Sequence, residues 1–221
     1  MVNLRSIPDK ELVRTLLDYQ GEEFQTRLME ILRKTRFHEH PKVKNLHLAD
    51  GAENERDYKN LVIGASKLLK KADDVWIITN YEGTTTADFI VKYGSLLKYM
   101  DLKIINSLNS LEQLISKHKN QARRFFIIVA DAHCEAKNFA GKVKNCFIEN
   151  ERLSEIIISQ RGKMLSIDRK TTESKDYYMW VKKQWKKKSV IKLSRFFWPH
   201  RINVGPHSNV NYVYGLSTWQ N

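Results

Sequence analysis

The spacing of hydrophobic positions changes partway along the chain. Leu12, Leu16, Leu17, Phe24, Leu28, Ile31 and Leu32 recur at helical spacing behind a start signal in which Ser6 can cap and Pro8 sits in the first turn. This predicts one or two opening helices with Gly21 as the break, ended by the polar run Arg36-Phe-His-Glu-His-Pro-Lys42. Beyond Pro41, short apolar runs alternate with helical segments. Strands are predicted over 43–49, 74–79, 102–105, 124–130 and 146–149, and helices over 57–71, 84–100, 108–119 and 137–144. Such alternation implies crossover units, so the expected fold class is α/β: a mostly parallel sheet with helices on both faces, in three layers. The expected organisation is an N-terminal helical segment (1–41), an α/β domain (42–160) and a C-terminal appendage (161–221), with added strands over 190–193 and 210–214.

Composition narrows the function classes. The chain has 221 residues, 42% of them hydrophobic, enough for one domain with a real core. No apolar run approaches the roughly 18 residues that a membrane span needs, and the opening residues lack the order of a secretory leader, so a soluble, intracellular protein with no membrane partner is expected. Cys134 and Cys146 alone build neither a disulfide framework nor a four-thiolate zinc site. The net charge of +13 points to an anionic partner, nucleic acid foremost. Most of it lies between Arg161 and Asn221, where 13 Lys and Arg face only Asp168, Glu173 and Asp176. Four of the five tryptophans lie there too. Lysines neutralise phosphates and aromatic rings stack on exposed bases, so Lys182, Lys183, Trp185, Lys186, Lys187, Lys188, Lys192, Arg195 and Arg201 are the expected nucleic-acid contacts, with RNA preferred over DNA. Tyr177, Trp180, Val181 and Trp185 also fit helical spacing, which leaves open whether the rings are stacking faces or core.

In a parallel sheet the ligand crevice lies outside the carboxyl ends of the strands. The residues expected there include Asp50, Asn80, Glu82, Asn106, Asp131 and Glu149. Carboxylates meeting at one edge hold hard cations such as Mg²⁺ or Mn²⁺, which polarise a phosphate and acidify bound water. The plainer reading is that loops after strands are polar in most proteins. Gly83, Thr84 and Thr85 open a predicted helix and serve either as a phosphate-binding turn or as its cap. His38, His40 and His47 offer a zinc-like alternation without a marked further ligand.

The run Asn45-Leu-His-Leu-Ala-Asp-Gly-Ala-Glu-Asn54 resembles the opening strand of PIN-like and NYN ribonucleases, in which an apolar strand ends in Asp-Gly-x-Asn and the Asp is a metal ligand. The order of elements that follows is similar, across about Lys42 to Glu151, to the Regnase-type and protein-only RNase P nucleases. The resemblance implies a PIN- or Rossmann-like layering, with Asp50 and Asp131 as ligands of Mg or Mn. Glu53 stands where the family has its Asn, one residue before Asn54. Glu112 alone stands where the family has a pair of acids and joins Asp50 and Asp131 as an expected metal ligand, and Asp131-Ala-His133 stands where the family has Asn-Asp. The expected function is a metal-dependent endoribonuclease using Asp50, Glu53 and Asp131. The alternative is a non-catalytic nucleic-acid-binding or assembly subunit, within a larger ribonucleoprotein or protein complex.

Overall fold

The computed structural model describes residues 9–79, 86–130, 135–160 and 162–186. Helices α1 (Asp9–Arg14) and α2 (Gly21–Lys34) come first, as the leucine spacing predicts, and α2 buries Phe24, Leu28 and Ile31. The chain continues through β1 (Phe37–Glu39), β2 (Leu46–Ala49), α3 (Tyr58–Leu68), β3 (Asp74–Ile77), β4 (Phe89–Tyr93), β5 (Leu96–Ile105), α4 (Leu111–His118), β6 (Arg124–Val129) and α5 (Ala136–Glu149). It ends with β7 (Glu155–Gln160), β8 (Lys163–Asp168), α6 (Arg169–Glu173) and α7 (Tyr177–Lys186). Among the described residues no helix is long and apolar enough to cross a membrane.

The strands form one eight-stranded sheet in chain order. Pairs β2–β3, β5–β6 and β6–β7 are parallel, whereas β1–β2, β3–β4, β4–β5 and β7–β8 are antiparallel. The α/β class holds, and the expectation of a mostly parallel sheet is corrected to a mixed one. The main cause lies in 84–100, read as a helix: its described part is mostly the hairpin of β4 and β5. Phe89, Tyr93, Leu96, Leu97 and Met100 do fall at helical spacing, but Phe-Ile-Val-Lys-Tyr is a β-rich run and Gly94-Ser95 is a two-residue loop. Tyr93 pairs with Leu96, and only Gly94 of the two loop residues has a left-handed φ, +58°, the pattern of a type II′ turn.

Three further expectations change. The strand predicted over 146–149 is the last turn of α5, whose buried Phe139, Ala140, Val143, Cys146 and Phe147 keep helical spacing throughout. The polar run after α2 supplies edge strand β1. At the other end, 163–168, expected in an appendage, forms β8 in a hairpin with β7. The strands expected over 190–193 and 210–214 lie outside the described residues.

Side chains alternate across the sheet and fill two apolar layers. Phe125, Ile127 and Val129 of β6 join the layer under α2, α4, α5 and α7, while Phe126 and Ile128 join the layer under α3. Strand β5 is long enough to serve two partners: 96–100 pairs with β4, and 101–105 with β6. Its first half therefore has a backbone edge that β6 does not reach, and α2 covers it. Gln25 accepts from the Leu97 N–H and donates to the Leu97 carbonyl, each at 2.8 Å.

Helix α3 sits on β5 without a side chain between them at Gly64, where a Cβ would lie 2.9 Å from Leu102 Cδ2. Substituting Gly64→Ala is expected to destabilise the fold by roughly 1–3 kcal/mol through overpacking, lowering Tm by about 2–4 °C per kcal/mol. Thermal unfolding checks this; an unchanged or higher Tm would mean that Leu102 yields at no cost.

Candidate functional site

The register of β4 on β5 sets two carboxylates against each other. Phe89 pairs with Met100, so the next residues outward, Asp88 and Asp101, face across the antiparallel pair. Asp88 is fixed by its surroundings. Its carbonyl accepts from the Ile78 N–H at 3.1 Å, and its Oδ2 accepts from the Leu102 N–H at 2.6 Å. The N–H of the preceding Ala87 donates to the hydroxyl of Tyr99, a residue only 2% exposed.

Asp101 is almost fully buried, and Lys103, two residues along β5 and on the same face, places Nζ 2.7 Å from Asp101 Oδ2. That oxygen is buried and its contact is the ion pair, with no hydrogen bond of good geometry. Like charges directly opposite in a sheet destabilise it. Burial, then the charge of Asp101, holds the Asp88 carboxyl well above the usual carboxylate range, with a hydrogen bond to Asp101 acting in the same direction; Lys103 and the Leu102 N–H oppose the shift. The shift favours a proton on Asp88, on the side that faces Asp101. His118, at the end of α4, feels the same group: burial and then Lys103 lower its pKa, while Gln121, 2.6 Å from Nδ1, and Asp101 raise it. Its imidazole is neutral at pH 7.

Two carboxylates and an ammonium in a recessed place can do definite chemistry. A divalent cation satisfies both carboxylates where a proton now serves, and Mg²⁺ typically binds through one or two carboxylates, keeping waters for substrate phosphates. Both acids offer oxygen donors, the kind such an ion takes, and Lys103 Nζ already stands 2.7 Å from Asp101 Oδ2. Among the described residues no group of three or more His, Cys, Asp or Glu side chains is placed to hold a metal. Cysteine chemistry has no footing at Cys146, which is buried with its thiol pushed up to about 12, mainly by burial.

The residues predicted from the sequence are dispersed. Asp50 and Glu53 flank His38 at the β1–β2 edge, with Nδ1 3.6 Å from Asp50 and Nε2 3.4 Å from Glu53, all three exposed. Strand β2 is two strand spacings from β4, about 10 Å. Glu112 turns to α5, 3.5 Å from Lys142 Nζ and accepting from Asn145 Nδ2 at 2.8 Å. His40 and His47 serve separate local contacts: His40 Nδ1 accepts from the N–H groups of Lys42 and Val43, and His47 lies 3.2 Å from Asp74 and stacks on Trp76. Lys182 and Lys183 are exposed on α7, whereas Trp185 stacks on buried Phe139 at 4.3 Å and packs against the core. Lys186 ends α7. Gly83, Thr84, Thr85, Asp131, Lys187, Lys188, Lys192, Arg195 and Arg201 lie outside the described residues. Sequence reading missed Asp88, Asp101, Lys103 and His118, because the first two were taken as lying inside a helix and just before a strand. The available signal was Asp101-Leu-Lys103, an acid and a base alternating onto one face of an extended run.

No protein-family model matches the chain, and no curated protein matches it in sequence. Among solved structures, a chain of the CdiA-CT/CdiI toxin and immunity complex from Burkholderia pseudomallei is similar at a TM-score of 0.41 and 14% identity, over 61% of this chain and 97% of that one.

The carboxylate pair makes stability depend on pH in a defined sense. A carboxyl held high in the fold binds its proton more tightly than in the unfolded chain. Its contribution is complete below the ordinary carboxylate pKa and is lost as pH rises through the folded value. Asp88→Asn, which keeps the shape without the charge, is expected to raise Tm at pH 7–8, by on the order of 2–4 °C, with the gain shrinking toward pH 4. Tm measured across that range checks it; a uniform loss of stability would show that the pair is not under electrostatic load.

Proposed function

We propose that the chain is a divalent-cation-dependent phosphodiesterase acting on RNA, with Asp88, Asp101 and Lys103 as its reacting centre. The observation that carries the reading is the pair of opposed carboxylates, Asp101 buried and Asp88 half-buried, with Lys103 2.7 Å from Asp101, a costly arrangement unless a cation or a proton stands between them. Asp88 and Asp101 would hold Mg²⁺ or Mn²⁺, which would supply charge neutralisation at the phosphate and a more acidic bound water. The chain's own groups do the rest. Lys103, oriented by Asp101, offsets charge building on the non-bridging phosphate oxygens. Tyr99, Ile78 and the Leu102 N–H hold Asp88 at its station. In the hydrolysis, water oxygen bonds to phosphorus, the bond from phosphorus to one ester oxygen breaks, and that oxygen leaves with a proton. Neutral His118, which feels the charges of Lys103 and Asp101, is the proposed acceptor of the proton that water loses.

The basic, aromatic composition after Arg161 supports an RNA partner, and exposed Lys182 and Lys183 are its described representatives. A PIN-like site at Asp50 and Asp131 rests on the sequence resemblance alone, and Asp50 stands exposed beside His38. A non-catalytic RNA-binding subunit remains the second reading, favoured by the same lysines and silent about why the acids are paired.

Cleavage of a labelled RNA with Mg²⁺ or Mn²⁺ and with chelator separates the two. Cleavage is expected to need the cation, to disappear in Asp101→Asn, and to fall by about 10²–10³ in Lys103→Ala, while Asp50→Asn stays within a few-fold of the unaltered chain. RNA cleaved by Asp101→Asn at full rate, or lost in Asp50→Asn alone, would move the centre elsewhere; binding without cation-stimulated cleavage would select the second reading.

A further inference from the structure

Resting on the phosphodiesterase reading, we propose that a cleft between α4, α5 and α7 holds one unstacked nucleotide of the RNA strand, base inward. The cleft has a volume of about 850 Å³, within the roughly 300–1,000 Å³ of small-molecule sites. Its chemistry is that of a base pocket. Asn109, Asn138 and Asn145 line it with amides, each carrying donors and an acceptor side by side as the edges of bases do. Tyr178, 45% exposed, contributes a ring for stacking at one wall.

The charges in the cleft orient the ligand. Glu112 is already held by Lys142 and Asn145, so its carboxylate is compensated. The carboxylates of Glu112 and Glu135 disfavour a phosphate beside them and leave it to exposed Lys137.

The floor carries an independent mark. Gly141 lies in the middle of α5, where glycine is unfavourable relative to alanine. No packing demands it, since a Cβ there would meet nothing within 4 Å. What the missing side chain does is leave the cleft deep. The cleft also adjoins the reacting centre: Ser107 lines it four residues beyond Lys103, a reach of no more than about 14 Å.

The test uses the full chain in chelator, so that binding is read without cleavage, and follows the anisotropy of a fluorescein-labelled single-stranded RNA. Gly141→Phe, which fills open space, and Tyr178→Ala, at an exposed position, are each expected to weaken binding at least about five-fold with the fold intact by circular dichroism. Gly141→Ala, which adds one methyl to the floor, should weaken binding less than Gly141→Phe does and raise Tm. Unchanged affinity in Gly141→Phe and Tyr178→Ala overturns the cleft while leaving the reacting centre untouched, and so does an unaltered chain that binds no RNA. Weakened affinity together with absent cation-dependent cleavage by the unaltered chain would instead keep the cleft and remove the phosphodiesterase.

Discussion

Asp88 and Asp101 meet across β4 and β5 in a place with little water, and two ionised carboxylates at that separation repel strongly. The fold answers with three compensations: a proton on the pair, the Lys103 ammonium on Asp101, and the Leu102 N–H on Asp88. None of these removes the load entirely, because Asp101 Oδ2 remains without a well-formed hydrogen bond. Under the proposed function this load is what a cation would relieve, by releasing the proton and satisfying both acids at once. Stability alone would have been served better by apolar residues at these two positions.

The sheet is built so that this pair cannot drift apart. The tight Gly94-Ser95 loop fixes the register that sets Asp88 opposite Asp101, and a slip of one residue would send every side chain of the hairpin to the other face. Gly64 lets α3 press directly on Leu102, the residue between Asp101 and Lys103. On the opposite face Gln25 of α2 closes the uncovered edge of β5 at Leu97. Strand β5 thus switches partners from β4 to β6 at the acid itself.

The sequence disclosed the helical opening, the α/β class and the apolar strand at Phe125–Val129, because each has one dominant period and a strong β or helix composition. It hid the hairpin, because Phe89, Tyr93, Leu96, Leu97 and Met100 satisfy a helical period as well as an alternating one. That single ambiguity concealed the site. With 84–100 read as helix, Asp88 and Asp101 lie on no common edge, and attention passes to acids following strands, such as Asp50. The parallel-sheet rule then directs the search to strand ends, whereas Asp101 sits in the middle of a ten-residue strand. The aromatics of α7 were divided correctly only by packing: Tyr177 and Trp185 turn inward and Tyr178 outward, a difference that composition does not carry.

The most direct measurement is the titration of the Asp88 side-chain carboxyl by ¹³C NMR, first without divalent cations and then with Mg²⁺. The account predicts a midpoint well above the ordinary carboxylate range in the metal-free protein, falling when Mg²⁺ is added as the cation displaces the shared proton. An ordinary midpoint without Mg²⁺, or a raised one that Mg²⁺ leaves in place, would contradict it.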